Sequence, residues 1–201
     1  MELIVYDVAA RTPVEELENR VVVVIDILRT ISVMVTALHN GACGIIPVLS
    51  IEEAEERAAQ FVSGFCLRGG EQGALKIPHF DLGNSPLEYS PEVVRGKTII
   101  LTTSNGTRAI RRVQVANHIL IGSFLNARAA ATRAYQLANE MDSDLVVLCA
   151  GMGDRFSLDD YFCAGLICRL IEALDCEHNR LDWLTVRSRR GLYMKTFVMT
   201  R

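Results

Sequence analysis

The side chains with most chemical potential stand where hydrophobic runs end. Asp26 closes the run VVVVI, and Arg29 and Thr30 follow closely. A carboxylate at the end of a buried strand is costly to desolvate without a proton, a metal or a cationic partner. Arg29 could supply that partner as a purely structural ion pair, or both groups could serve a ligand. Three more polar stretches hold equivalent places. RGGEQGALKIPHFDLGNSP, residues 68–86, carries Arg68, Glu71, Lys76, Asp81, Asn84 and Ser85. TTSNGT, residues 102–107, puts hydroxyls, an amide and a glycine at the start of a helical pattern. Free backbone N–H groups there form an anion site, or the motif is an ordinary capped turn. AGMGDRFSLDD, residues 150–160, offers Asp154, Arg155, Ser157, Asp159 and Asp160, or simply the acidic first turn of a helix.

Carboxylates at three strand ends could hold one hard divalent cation through oxygen ligands, most simply magnesium. An anion cradle and arginines would complete the needs of phosphoryl transfer, which are charge neutralisation and in-line positioning of a nucleophile. Histidine adds little. His39 and His118 flank elements, His178 is near the end, and only His79 lies in a candidate loop. The chain contains no GxSxG, so a Ser-His-Asp hydrolase is disfavoured.

Strands must carry these loops. Val21 to Ile25 is a run of five β-branched residues with no polar alternation, so both faces of that strand should be buried. An apolar helical pattern follows to Leu38, with Thr30 as a candidate N-cap and Gly41 as the C′ residue. Leu3–Val8, Gly44–Val48, Phe65–Leu67, Lys97–Thr102, His118–Ile121 and Asp144–Cys149 read as further strands. Pro47 suits an edge strand. Helices are expected from Ser50 to about Val62, Arg108 to about Val115, Asn126 to Met141 and Ser157 to about Leu174. Ser50 with Glu53, and Ser157 with Asp160, have the spacing of capping boxes. Residues 68–86 lack helical periodicity and read as a long, ordered, functional loop. Alternating strands and helices predict an α/β protein, a mainly parallel sheet covered on both faces.

The chain has 201 residues, half of them hydrophobic, and a net charge of −3. One core and one domain suffice for that length. The acidic balance argues against nucleic acid as a partner. No apolar run reaches membrane-spanning length, and the N-terminus is not a signal peptide. Six scattered cysteines without CxxC spacing read as free thiols in a reducing cytoplasm, not as a zinc site.

Two partial likenesses fail. Asp26-Ile-Leu-Arg-Thr resembles an aspartyl-phosphate phosphatase of the haloacid dehalogenase type, but Leu28 stands where that family places its second Asp. Gly151-Met-Gly-Asp is a fragment of a dinucleotide fingerprint without its third glycine. Residues 1–174 resemble the 2-phosphosulfolactate phosphatases of coenzyme M biosynthesis. The motifs that carry the likeness are VVVVIDILRTISVMVTAL, GGEQGALKIPHFDLGNSP, TTSNGT followed by Arg108, and GMGDRFSLDDYFCAG, in that order. The resemblance implies a three-layer α/β/α fold and a magnesium-dependent hydrolase removing phosphate from 2-phospho-3-sulfolactate. Members also occur in organisms not expected to make coenzyme M, so the reaction type transfers more safely than the substrate.

Carried over by position, the resemblance marks Asp26, Arg29, Glu71, Asn84, Ser85, Asn105, Gly106, Thr107 and Asp160. Chemistry suggests their roles. Asp26, Glu71 and Asp160 are assigned to the metal and its water, and Ser104 to Thr107 to the phosphate. Arg29, with Arg68 or Arg155 in reserve, is assigned to the sulfonate or carboxylate. Asp26 as a covalent nucleophile stays open. Asp159-Asp160 replaces the family's usual Glu-Asp, and Ser104 its usual threonine. From Asp175 nothing matches. Five arginines and no periodic pattern make the tail, 175–201, look like a shifted reading frame. The expectation is a domain over 1–174 with a divergent tail, lowered stability, apolar surface favouring self-association, and an inactive or merely anion-binding remnant as the alternative. A nucleotide-binding domain is a third reading, without the glycine pattern it needs.

Overall fold

The structure is a computed structural model that describes residues 1–177 and 185–188. Strands β1 (Glu2–Tyr6), β2 (Val21–Ile25), β7 (His118–Gly122), β8 (Leu145–Cys149) and β9 (Thr185–Ser188) form one sheet. Its order is β7-β2-β8-β1-β9, and every pair is parallel. Strands β3 (Gly44–Val48), β4 (Cys66–Gln72), β5 (Leu75–Lys76) and β6 (Thr98–Thr102) form a second sheet, in the order β3-β6-β4-β5. There β5 runs antiparallel to β4, and the other pairs are parallel. The single sheet expected from the sequence is thus two, within the layered α/β class.

The run of β-branched residues in β2 explains itself by alternation. Val21, Val23 and Ile25 enter a core beneath α5 (Ala127–Glu140) and α6 (Leu158–Glu177). Val22 and Val24 point the other way, against Ala109 and Val113 near α4 (Gly106–Arg112). All five are fully buried, which is why no polar residue alternates with them. In the second sheet Ile99 and Leu101 pack on α1 (Thr30–His39), and Ile100 packs with Ala54 of α2 (Ile51–Ala58). The short α3 covers Pro91–Val94.

Local signals decide most element ends. Gly41, at φ +93°, closes α1 through two bonds, Gly41 N–H to Leu38 O and Ala42 N–H to Ala37 O. Ser50 Oγ accepts Glu53 N–H at the start of α2, while the Glu53 carboxylate accepts Leu49 N–H. Pro47 lies in β3, an edge strand. Two expectations give way. Arg68–Gln72 opens the long segment as strand, not loop, and turns back through β5. Glycines hide that strand. Gly70, at φ +136°, lies so close to Thr102 O that no Cβ would fit. Past residue 175, where no element was expected, α6 continues to Glu177 and β9 aligns with β1, Leu3 opposite Val186. The rest of the 175–201 tail lies outside the described residues.

Candidate active site

The loops that follow β2, β6 and β8, with the β4–β5 hairpin, meet at the carboxyl ends of the strands, the edge where open α/β sheets bind ligands. After β2 the chain turns sharply, and the Asp26 carbonyl accepts Ile31 N–H at 2.9 Å. Thr30 N–H donates to Asp26 Oδ1 at 3.2 Å. Asp26 is only 6% exposed. Burial pushes its carboxyl above the usual range, the bonds from Thr30 oppose this, and the charges of Asp159 and Glu71 reinforce it. Its other oxygen faces Gly106, where a Cβ would lie 2.5 Å from Oδ2. A glycine at the start of α4 therefore lets that helix approach the carboxylate. The Leu28–Arg29 peptide is cis. No ion pair joins Arg29 to Asp26 among the described residues. Thr30 is not an N-cap; it opens α1, and its hydroxyl donates to Thr103 Oγ1 at 3.0 Å, tying β2's loop to β6's.

Glu71, 8% exposed near the end of β4, organises the second sheet's side. Its Oε1 accepts Ser104 N–H at 2.7 Å; its Oε2 accepts Ala74 N–H at 2.7 Å and the Ser104 hydroxyl at 3.1 Å. The TTSNGT turn is also tied internally. Thr107 N–H donates to Thr103 Oγ1, and Thr103 N–H to Thr107 Oγ1. Asn105 Oδ1 accepts Gly153 N–H at 2.8 Å, joining β6's loop to β8's.

Asp160 lies in the first turn of α6 and is 2% exposed. The expected capping box with Ser157 does not form; Ser157 Oγ donates to Asp159 instead. Asp160 Oδ1 accepts Ile27 N–H at 2.8 Å, and Oδ2 accepts Gly151 N–H at 3.0 Å. It therefore fastens the loop after β2 to the loop after β8. Burial raises its carboxyl to about 7, with the charges of Asp26 and Asp159 adding to the rise.

One cavity of about 770 Å³ draws on all of these loops. Asp26, Arg29, Glu71 and Asp160 line it, with Asn84, Ser104 and Asn105. Gly106 sits behind Asp26, and Thr107 is fully buried in its bonds to Thr103. Ser85 stays outside, beside the turn at Pro86–Glu88. Arg155, held in reserve for the sulfonate or carboxylate, lines the cavity, as does Asp159, which had no assigned role. Arg68 does not. It ion-pairs with Asp81 at 3.6 Å, donates to His79 O and lies over the Phe80 ring.

The donor set narrows the form a metal could take. Asp26, Glu71 and Asp160 share the cavity, yet no three His, Cys, Asp or Glu side chains among the described residues are arranged to hold a metal ion. Backbone amides already occupy both oxygens of Glu71 and both of Asp160. A cage of three carboxylates is therefore not what the geometry offers. Asp26 keeps spare lone pairs, and the buried Asn84 Oδ1 has no hydrogen-bond partner. Magnesium is commonly held by one or two protein oxygens, substrate phosphate and water. Asp26 and Asn84 fit that form.

Fold and site define a layered α/β protein with an acidic cavity at its strand ends. A family model described as 2-phosphosulpholactate phosphatase matches residues 6–190. That span passes the point near residue 175 where the motif likeness ends and takes in β9. A protein of Clostridium novyi named probable 2-phosphosulfolactate phosphatase is 48% identical over 153 residues, 76% of this chain and 63% of the relative. Namesakes from Clostridium tetani and Caldanaerobacter subterraneus are 48% and 46% identical, over 76% and 79% of this chain and 64% of each relative. The chain belongs to the 2-phosphosulfolactate phosphatase family. It spans less than two thirds of the length of these relatives. No helix among the described residues is long and apolar enough to cross a membrane.

Proposed function

We propose that this chain is a phosphoric monoester hydrolase, converting 2-phospho-3-sulfolactate, or a related small anionic phosphoester, to 3-sulfolactate and phosphate. The observation that supports it is the convergence of Asp26, Asn84 and Asn105 on one cavity, in a member of a family named for this reaction. The six free thiols suit a cytoplasmic protein.

In the reaction a water oxygen bonds to phosphorus, the ester P–O bond breaks, and the departing alkoxide takes a proton. Asp26 stands on the attacking side, where its carboxylate orients the water or itself attacks. Burial raises its basicity for either role. The side chain of Arg29 makes no ion pair among the described residues and lines the cavity, where it would meet the phosphoryl oxygens. Ser104 and Asn105, which line the cavity, add neutral polar groups. Asp160 and Glu71 act by position, holding Ile27, Gly151 and Ser104 in place. Magnesium, held by Asp26 and Asn84, would neutralise phosphoryl charge and acidify water. The crowding of Asp26 by Asp159 and Glu71 is what supports a cation there.

The test is phosphate release from phosphosulfolactate with and without magnesium. Release that depends on magnesium is expected. A chain that is folded yet releases no phosphate under either condition would rule the reading out.

A further inference from the structure

A second cavity, of about 630 Å³, adjoins the first and shares Ser104, Asn105 and Gly153 with it. The two differ in charge. The catalytic cavity carries five carboxylates, those of Asp26, Glu71, Asp154, Asp159 and Asp160, against Arg29 and Arg155. The second is lined by Arg108, Arg111 and Arg112 with no acidic residue. The rest of its lining is mostly small and apolar, including Ala9, Ala10 and Ala109.

These arginines are not equally committed. Arg112 donates through Nε and Nη2 to the Thr12 carbonyl. Arg111 lies 3.7 Å from Glu53. Arg108 is exposed and has no ion pair among the described residues. It follows Asn105, the residue before α4, by three residues, and both line this cavity. Asn105 forms the divide between the cavities through its bond to Gly153 N–H. A small ester with its phosphate beside Asn105 needs only a short carbon skeleton to bring a second anion to Arg108.

We infer that the basic cavity is the leaving-group subsite, and that Arg108 binds the sulfonate or carboxylate of the substrate. This rests on the phosphatase reading for its occupant. It differs from the assignment of that anion to Arg29, whose charge is offset by the surrounding carboxylates. Arginine's fork suits a multidentate oxyanion, and small apolar walls suit the carbon chain.

The experiment has two arms. Calorimetry measures 3-sulfolactate binding to the 201-residue chain and to its R108Q, R108K and R29Q forms, each checked by thermal melting. R108Q should weaken binding by about tenfold or more, R108K by about threefold, and R29Q by less than R108Q. Equal affinity for R108Q and the parent, or no binding by the parent, overturns the subsite. The second arm compares kcat/KM for phosphosulfolactate and for phenyl phosphate, which lacks a second anion. R108Q should lower that ratio by about tenfold. An unchanged ratio overturns the subsite alone. A parent that hydrolyses neither ester overturns the phosphatase reading, and calorimetry still decides the subsite.

Discussion

The Asp160 carboxylate accepts the Ile27 amide at 2.8 Å across 133 residues of chain. With its second bond, to Gly151 N–H, Asp160 makes the loops after β2 and β8 one unit. Asp160→Ala would leave two buried N–H groups unpaired, each costing about 1–3 kcal/mol, partly offset by removal of a desolvated acid. A net loss of about 2–4 kcal/mol is expected, read from urea unfolding. Phosphate release should fall as well, because the turn carrying Asp26 loses its anchor.

The same residue sets a pH dependence of unusual sign. Its carboxyl is raised to about 7, and that of Asp26 is raised too. Between about pH 4 and 7 the native chain retains a proton on Asp160 that the unfolded chain releases. Stability from this group is therefore full below about pH 4 and falls as pH rises toward 7, by up to about 1.4 kcal/mol per unit. The difference in unfolding free energy between the parent and Asp160→Asn, followed from pH 4.5 to 7.5, should shrink with that slope. A constant difference would contradict it.

Asp26→Asn should separate chemistry from folding. An amide oxygen can still accept Thr30 N–H, and a buried carboxylate among carboxylates is removed. Stability should hold or rise by about 1 kcal/mol, while turnover falls by about two orders of magnitude or more. Melting temperature and initial rate together check this. A collapsed melt would show that Asp26 mainly supports the fold.

Gly106→Ala tests the approach of α4 to Asp26. The new methyl would meet Asp26 Oδ2 and the Thr30 side chain. Overpacking of this kind costs about 1–3 kcal/mol. The melting temperature should drop by several degrees and phosphate release should decline, because the atom displaced is the carboxylate itself.

Much of this was legible in the sequence, for a physical reason. Runs such as VVVVI and DLVVLC report burial on both faces, which is local information. The strand ends they set placed Asp26, the TTSNGT turn and the GMGD loop together. Partnership is not local. Nothing in the spacing of Ser157 and Asp160 says that Asp160 reaches Ile27 instead of capping its own helix. The Arg29–Asp26 ion pair, the structural alternative that proximity in sequence offered, does not form, although both residues line one cavity. Division into two sheets was hidden for the same reason, since strand pairing depends on distant partners. The strand at Arg68–Gln72 was hidden by its glycines, and the C-terminal strand by the lack of any pattern around it.

Asp26 comes from one sheet, and Glu71 and Ser104 from the other. The Thr30–Thr103 hydroxyl pair is a stitch across that join. Under the proposed function, competence is a property of the seam: it would need the two separately hydrogen-bonded sheets to dock in register, and a small slide of one against the other would silence the centre while leaving every strand intact.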